Sequence, residues 1–117
     1  MDKEMREERI DDLLADCHGE DENSSAWFYY LAEEVTFPFN AKCIKKLSNS
    51  SLNENEEVKV LDIDGDIDFM KGMFAEVEWE GRKLSVPVEQ LLPIDADEES
   101  LEIIKDWHYW VEKGYHF

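Results

Sequence analysis

Apolar residues recur at helical spacing in three segments of the chain. Near the N-terminus the positions i, i+3, i+4 and i+7 are occupied by Ile10, Leu13, Leu14 and Cys17. A second helix has Ser24 or Ser25 as its N-cap, and a third has Asp95 or Asp97. The spacing predicts helices over about 3–17, 26–34 and 97–113.

Between the second and third helices the apolar period changes to two residues. Val58 and Val60 alternate with charged residues, and a later segment alternates Ala75, Val77 and Trp79 with Glu76, Glu78 and Glu80. Short strands joined by tight turns, with one helical turn before the last strand, are typical of small barrels. The pattern predicts an α+β fold: an SH3-like β-barrel of about five strands over residues 41–94, flanked by two N-terminal helices and one C-terminal helix.

Charge decides which partners are plausible. The 117 residues include 30 acidic and 12 basic side chains, for a net charge of -18, while 43% are hydrophobic. This composition indicates one folded domain over 1–117 and disfavours binding to nucleic acid or to anionic membranes. Cations and basic proteins are the expected partners. With two cysteines and no apolar segment behind the charged N-terminus, we expect a cytoplasmic monomer.

The stretch 62–68 gathers negative charge around one glycine. It reads Asp-Ile-Asp-Gly-Asp-Ile-Asp, with carboxylates at Asp62, Asp64, Asp66 and Asp68. A loop of aspartates suits calcium, which takes 6–8 oxygen ligands in flexible geometry, although a solvated acidic turn has the same composition. An EF-hand is excluded, because counting from Asp62 or Asp64 places neither the required glycine at position 6 nor a glutamate at position 12.

Other oxygen ligands are expected from neighbouring segments. Glu76 lies nearest the acidic loop on the strand that follows it. Glu34 and Asn40 flank the Phe37-Pro38-Phe39 turn, where backbone carbonyls are also exposed. The predicted calcium ligands are therefore Asp62, Asp64, Asp66, Asp68 and Glu76, with Glu34 or Asn40 completing the shell.

Soft metals and catalysis have weaker support. The spacing of Cys17, His18, Cys43, His108 and His116 matches no zinc finger or ribbon. A buried cysteine and a histidine on a helix face explain Cys43 and His108 more simply than a metal or a nucleophile–base pair does. The chain has no glycine-rich phosphate loop. We therefore expect no enzyme activity.

Several sequence blocks together point to a known family. They are Trp27-Phe28-Tyr29-Tyr30-Leu31, Phe37-Pro38-Phe39, Glu78-Trp79-Glu80-Gly81-Arg82, and Asp106-Trp107-His108-Tyr109-Trp110. In these blocks and their order the chain resembles the small acidic calcium-binding family typified by cyanobacterial CcbP. The resemblance implies a compact domain that binds Ca²⁺ without an EF-hand and acts as a buffer or sensor in calcium signalling. It assigns no individual ligand.

Two functions therefore remain open from the sequence. The first is calcium binding through the clustered carboxylates. The second is an acidic interaction module that docks a basic partner protein without any metal.

Overall fold

The computed structural model describes residues 3–48, 50–65 and 72–113. Over these residues the chain forms three α-helices, five strands and one short 3-10 helix. The helices are α1 (Lys3–Leu14), α2 (Glu20–Glu34) and α3 (Glu98–Glu112). The strands are β1 (Phe39–Cys43), β2 (Glu57–Ile63), β3 (Phe74–Trp79), β4 (Arg82–Pro87) and β5 (Leu91–Pro93), with the 3-10 helix Val88–Gln90 before the last.

The strands form one antiparallel sheet in the order β4-β3-β2-β1-β5. The number of strands and the helical turn before β5 agree with the prediction, but within the described residues the sheet is open. Closure into an SH3-like barrel is therefore not confirmed. Pro87 ends β4 and Pro93 ends β5, and neither proline has an N–H to extend a ladder outward. The fold is α+β, with an open five-stranded sheet.

The core lies between one face of the sheet and helices α2 and α3. Trp27 and Leu31 of α2 are fully buried, and the rings of Trp27 and Trp107 meet edge to face with centroids 5.1 Å apart. The sheet contributes alternate residues from its inner face, including Ala41, Val58, Val60, Ala75, Val77 and Val86. Each fully buried large side chain contributes about 1.5–3 kcal/mol to folding. The other face of the sheet points away from these helices.

Helix starts differ from those that capping residues predict. Helix α2 begins at Glu20, after Gly19, so Ser24 lies inside the helix and is fully buried instead of capping it. No side chain caps Gly19, and the Glu22 carboxylate instead accepts a hydrogen bond from the His18 N–H at the start of the helix. At α3 the prediction is closer, because the Asp97 carboxylate accepts a hydrogen bond from the Ser100 N–H at 2.7 Å.

Helix α1 is held to the domain through one buried carboxylate. Asp106 of α3 is fully buried, and its Oδ1 accepts hydrogen bonds from Arg6 Nη1 and Arg9 Nη2, each at 2.6 Å. Its Oδ2 accepts from Arg9 Nε at 2.7 Å and from the Tyr30 hydroxyl at 2.8 Å. The bond to Asp106 raises the pKa of Arg9, and burial raises the pKa of Tyr30. We call Asp106, Arg6, Arg9 and Tyr30 the Asp106 network.

His108 links α3 to the last strand. Its Nε2 lies 2.8 Å from the carbonyl oxygen of Leu91, which can only accept, so Nε2 carries the proton. Burial lowers the pKa of His108, and Lys45 lowers it further, whereas the Leu91 and Val88 carbonyls and Glu89 raise it. The neutral imidazole is therefore the form that the folded protein prefers.

We expect a pH dependence from this histidine. The unfolded chain takes up the proton near the ordinary pKa of 6.5, before the folded protein does. The free energy of unfolding contributed by His108 is thus constant above that pH and falls as the pH drops below 6.5, until the folded protein also takes up the proton. Urea unfolding at several pH values should show a shallower fall for His108→Gln, whose amide can still donate to Leu91. Equal slopes in the two proteins would contradict the assignment.

Candidate metal centre

A β-bulge in β2 decides which way the first aspartate points. Val60 pairs with Val77 but Asp62 pairs with Glu76, so Leu61 is an extra residue on this strand. Val58, Val60 and Ile63 are buried. Strict alternation from Val60 would have turned Asp62 inward and Ile63 outward. The bulge reverses this and presents Asp62 on the outer face.

The bulge completes a polar row across three strands. Asp62 lies opposite Glu76, and Glu76 lies opposite Ser85 of β4. Asp64 follows β2 directly, and its N–H donates to the Phe74 carbonyl at 2.8 Å, which extends the pairing past the strand end. The Ser85 hydroxyl donates to Oδ2 of Asp64. We call Asp62, Asp64, Glu76 and Ser85 the acidic corner.

The carboxylates of the acidic corner are reachable by solvent. Asp62 is exposed, and its Oδ1 accepts the Ile63 N–H at 2.8 Å. Glu76 has 40% of its side chain exposed and lies 3.8 Å from the ammonium of Lys83, which is 70% exposed. An ion pair this open contributes little to stability, so Lys83 is a weak competitor for a cation at Glu76.

The donors at the corner fit a hard cation. Three carboxylates and one hydroxyl are oxygen ligands of the kind that calcium uses, and water can fill open positions because the corner is exposed. Among the residues that the structure describes, no three acidic, histidine or cysteine side chains are already gathered at metal-binding distance. The described corner is therefore a partial set of ligands and not a closed cage.

Gly65, the residue after Asp64, passes close to α2. A Cβ atom at Gly65 would lie 3.1 Å from Cζ of Phe28, so glycine allows the backbone to pass close against this ring. Asp66 and Asp68, the other two predicted loop ligands, lie outside the described residues. The loop thus leaves the acidic corner between β2 and the middle of α2.

A family model described as calcium binding, of the CcbP type, matches residues 8–111 of the chain. The chain belongs to the CcbP family of calcium-binding proteins. The resemblance predicted from the aromatic blocks is thereby confirmed, and this family is not a family of enzymes.

Two solved structures support the assignment. The crystal structure of Anabaena CcbP is 34% identical, with a TM-score of 0.86, and the match covers 100% of this chain and 97% of that one. A structure described as a calcium-binding protein in the calcium-binding form is 33% identical, with a TM-score of 0.85 and coverage of 98% and 95%. A search of curated proteins found no match. Among the described helices, none is long and apolar enough to cross a bilayer.

Two predicted ligands of this CcbP-family chain lie away from the corner. Asn40 pairs with Lys59, three residues or about 10 Å along β2 from Asp62. Its side-chain amide donates to Oδ2 of Asp95 at 2.8 Å, and its N–H donates to Oδ1 at 2.7 Å. These bonds lower the pKa of Asp95. Asn40 therefore orients the turn before α3.

Glu34 lies at the C-terminal end of α2, away from Gly65. It is six residues, or about 9 Å along the axis, beyond Phe28, which contacts Gly65. Together with carboxylates from the start of α3, it borders a cavity of about 530 Å³ between α2 and α3. The structure thus places Asp62, Asp64 and Glu76 at neighbouring positions on the outer face of β2 and β3, although not as a closed metal-binding group. Glu34 and Asn40 lie apart from them.

The structure places Cys43 and His108 each in a contact with a backbone carbonyl. Cys43 is fully buried in β1, its thiol donates to the Lys45 carbonyl at 3.1 Å, and burial raises its pKa. Cys17 is partly exposed, and its pKa is also raised, first by burial. His108 is bonded to Leu91, and His116 lies outside the described residues. Nothing in the described part of the chain assembles a zinc site from them.

Sequence reasoning missed Ser85 and Lys83, which lie on β4 beside Glu76. A signal was present, because the Glu80-Gly81 turn fixes the register of the β3–β4 hairpin. Pairing outward from that turn places Lys83 opposite Glu78 and Ser85 opposite Glu76. Counting the hairpin register would therefore have identified both neighbours of the acidic corner.

Proposed function

We propose that this protein binds Ca²⁺ at the acidic corner and serves in the cytoplasm as a calcium buffer or sensor. The observation that carries the proposal is the bulge at Leu61, which sets Asp62 beside Glu76 at the start of the acidic loop. Membership of a calcium-binding family supports the choice of ion. Asp66 and Asp68 belong to the proposed ligand set as loop residues, and Glu34 and Asn40 do not.

Electrostatics favours a cation between the strands. Directly opposed side chains in an antiparallel pair have Cβ atoms about 4.5–5.5 Å apart, and like charges there are destabilising. Asp62 and Glu76 form such a pair, with Asp64 two residues further along. The net charge of -18 adds general repulsion. A divalent cation shared by these carboxylates removes their mutual repulsion. Their negative charges in turn stabilise the bound cation.

Ser85 and Lys83 have supporting roles in this proposal. By donating its hydroxyl hydrogen to Oδ2 of Asp64, Ser85 orients this carboxylate at the corner. Lys83 partly neutralises Glu76 before an ion binds. Its ammonium can turn away into solvent when calcium arrives, because most of the side chain is exposed.

Titration calorimetry with calcium and with magnesium tests the proposal. We expect saturable calcium binding in the range of sensor-type sites, with a Kd on the order of 10⁻⁷ to 10⁻⁵ M. Magnesium should bind more weakly for two reasons. It demands octahedral geometry, which an open corner does not enforce, and it keeps its bound water. The absence of saturable heat at sub-millimolar calcium in moderate salt would refute the proposal.

Amide chemical shifts recorded in the same titration separate buffer from sensor. A buffer should move only signals from the acidic corner and the adjoining loop. A sensor should also move α2, because Phe28 packs against Gly65 where the loop leaves the corner. Shifts centred on α3 and sparing the corner would place the ion elsewhere.

A further inference from the structure

We propose that the groove between α2 and α3 docks a segment of a partner protein in which a bulky apolar side chain is flanked by lysines or arginines. The cavity of about 530 Å³ falls in the range of specific binding pockets, about 300–1,000 Å³. It is lined by Tyr30 and Ile103 at its apolar part and by Arg9 on the side of α1. This proposal does not depend on calcium binding.

The border of the groove is acidic. Glu34 ends α2, Glu98 and Glu99 begin α3, and Glu102 follows one turn later. Glu102 is paired with Arg6 at 3.0 Å. For the other three glutamates, all exposed, the described residues provide no cation within ion-pair distance. They are therefore available to a cationic partner.

The arginine in the groove does not cancel this charge. Arg9 donates two hydrogen bonds to Asp106, at 2.6 and 2.7 Å. The buried carboxylate therefore balances the positive charge of this guanidinium. Glu34 also lies in the last turn of α2, where the helix dipole adds negative potential. The groove as a whole attracts cations.

The apolar part selects what kind of cation fits. Tyr30 and Ile103 line the cavity, the Tyr30 hydroxyl is turned away to Asp106, and most of the accessible lining is apolar. A small hydrated cation gains nothing from such a surface, whereas an apolar side chain gains about 25 cal/mol for each Å² buried. A second copy of this chain is disfavoured as occupant by its own charge of -18.

Fluorescence anisotropy with short synthetic peptides tests the proposal. The probe is a labelled peptide with a leucine pair between lysines and arginines, and two controls replace the leucines by serine or the basic residues by glutamine. We expect saturable binding of the first peptide only, in EDTA as well as in calcium. Binding of the serine peptide or of spermine with equal affinity would overturn the proposal, because charge alone would then explain the attraction.

Charge reversal locates the binding. We expect Glu98→Lys with Glu99→Lys to weaken binding of the first peptide about tenfold or more, since several attractive surface pairs become repulsive. The matched control Glu54→Lys with Glu112→Lys makes the same charge change at exposed sites away from the groove. Equal weakening by both double variants would overturn the proposal.

A measurement on the unaltered protein guards against misfolded variants. The Ile103 methyl and Tyr30 ring signals should shift as the peptide is added, and unchanged signals at saturation would exclude this groove. Asp62→Asn with Asp64→Asn should bind the peptide as the wild type does. In the wild type, peptide binding without saturable calcium binding would refute the calcium proposal alone, and calcium binding without peptide binding would refute the groove proposal alone.

Discussion

Replacing Asp62 and Asp64 together by asparagine will lower the affinity for calcium by about a hundredfold. Affinity in oxygen-ligand sites is tuned by the number of charged ligands, and we expect about a factor of ten, or 1.4 kcal/mol, for each carboxylate. Asparagine keeps the size and an oxygen acceptor, so the bonds from Ile63 and Ser85 to these side chains can persist. Calcium titration calorimetry measures the loss.

A matched control separates ligation from general charge. Glu57→Gln with Glu78→Gln also removes two charges from the outer face, but at residues that pair with Lys42 and with Lys59 and Lys83 instead of with the corner. We expect less than a threefold change in calcium affinity, diminishing with added salt. Similar losses from the two double variants would show that calcium is attracted by the whole surface.

The stability of the same double aspartate variant in EDTA provides a second test. Without calcium, Asp62 and Asp64 repel Glu76 across the strands, and neutral side chains relieve this. The variant should therefore be as stable as the wild type or more stable, by about 0.2–1 kcal/mol, when the metal is absent. Calcium should stabilise the wild type more than the variant. At a calcium concentration a hundred times the Kd, the free energy of unfolding of the wild type should rise by about 2.7 kcal/mol.

Asp106→Asn should be the most destabilising of these substitutions, lowering the free energy of unfolding by about 3–5 kcal/mol. The carboxylate is fully buried and accepts four hydrogen bonds from Arg6, Arg9 and Tyr30. Asparagine removes the negative charge and turns an NH₂ group toward two guanidinium groups. Calorimetric unfolding should show the midpoint falling by roughly 10–20 °C.

Two further variants define the cause. Glu112→Gln removes a charge from the exposed end of the same helix and should change stability by less than 0.5 kcal/mol, as surface substitutions usually do. The triple variant Arg6→Met, Arg9→Met, Asp106→Leu should recover most of the lost stability, because well-packed apolar groups replace a buried ion pair without large cost. A loss below 1 kcal/mol in Asp106→Asn would contradict the role given to the network.

Periodicity predicted the elements better than their limits. The alternation of Ala75, Val77 and Trp79 appears as expected in β3, since a half-buried strand must show this pattern. The start of α2 was missed because no side chain caps the helix at Gly19, so no capping residue marks this start in the sequence. Closure of the barrel was inferred from strand number, which does not fix whether the outer strands pair.

The acidic corner was predictable in part. Glu76 was expected near the loop because the chain passes from the loop into β3, and the structure places it opposite Asp62. The bulge at Leu61 could not be predicted from the sequence, because one extra residue in a strand does not change the composition. Glu34 and Asn40 were chosen for their place beside a turn, whereas the packing of α2 and the pairing of β1 direct them elsewhere.

The open sheet has strand edges at which other copies of the protein can pair. Two unpaired strand edges are templates for chain-to-chain strand addition, the route to aggregation. Here β5 has only three residues and ends at Pro93, while β4 carries Arg82 and Lys83 and ends at Pro87. Short length, charge and proline are the features that blunt such edges. Within the described residues, both outer edges of the sheet are therefore protected against strand addition without closure into a barrel.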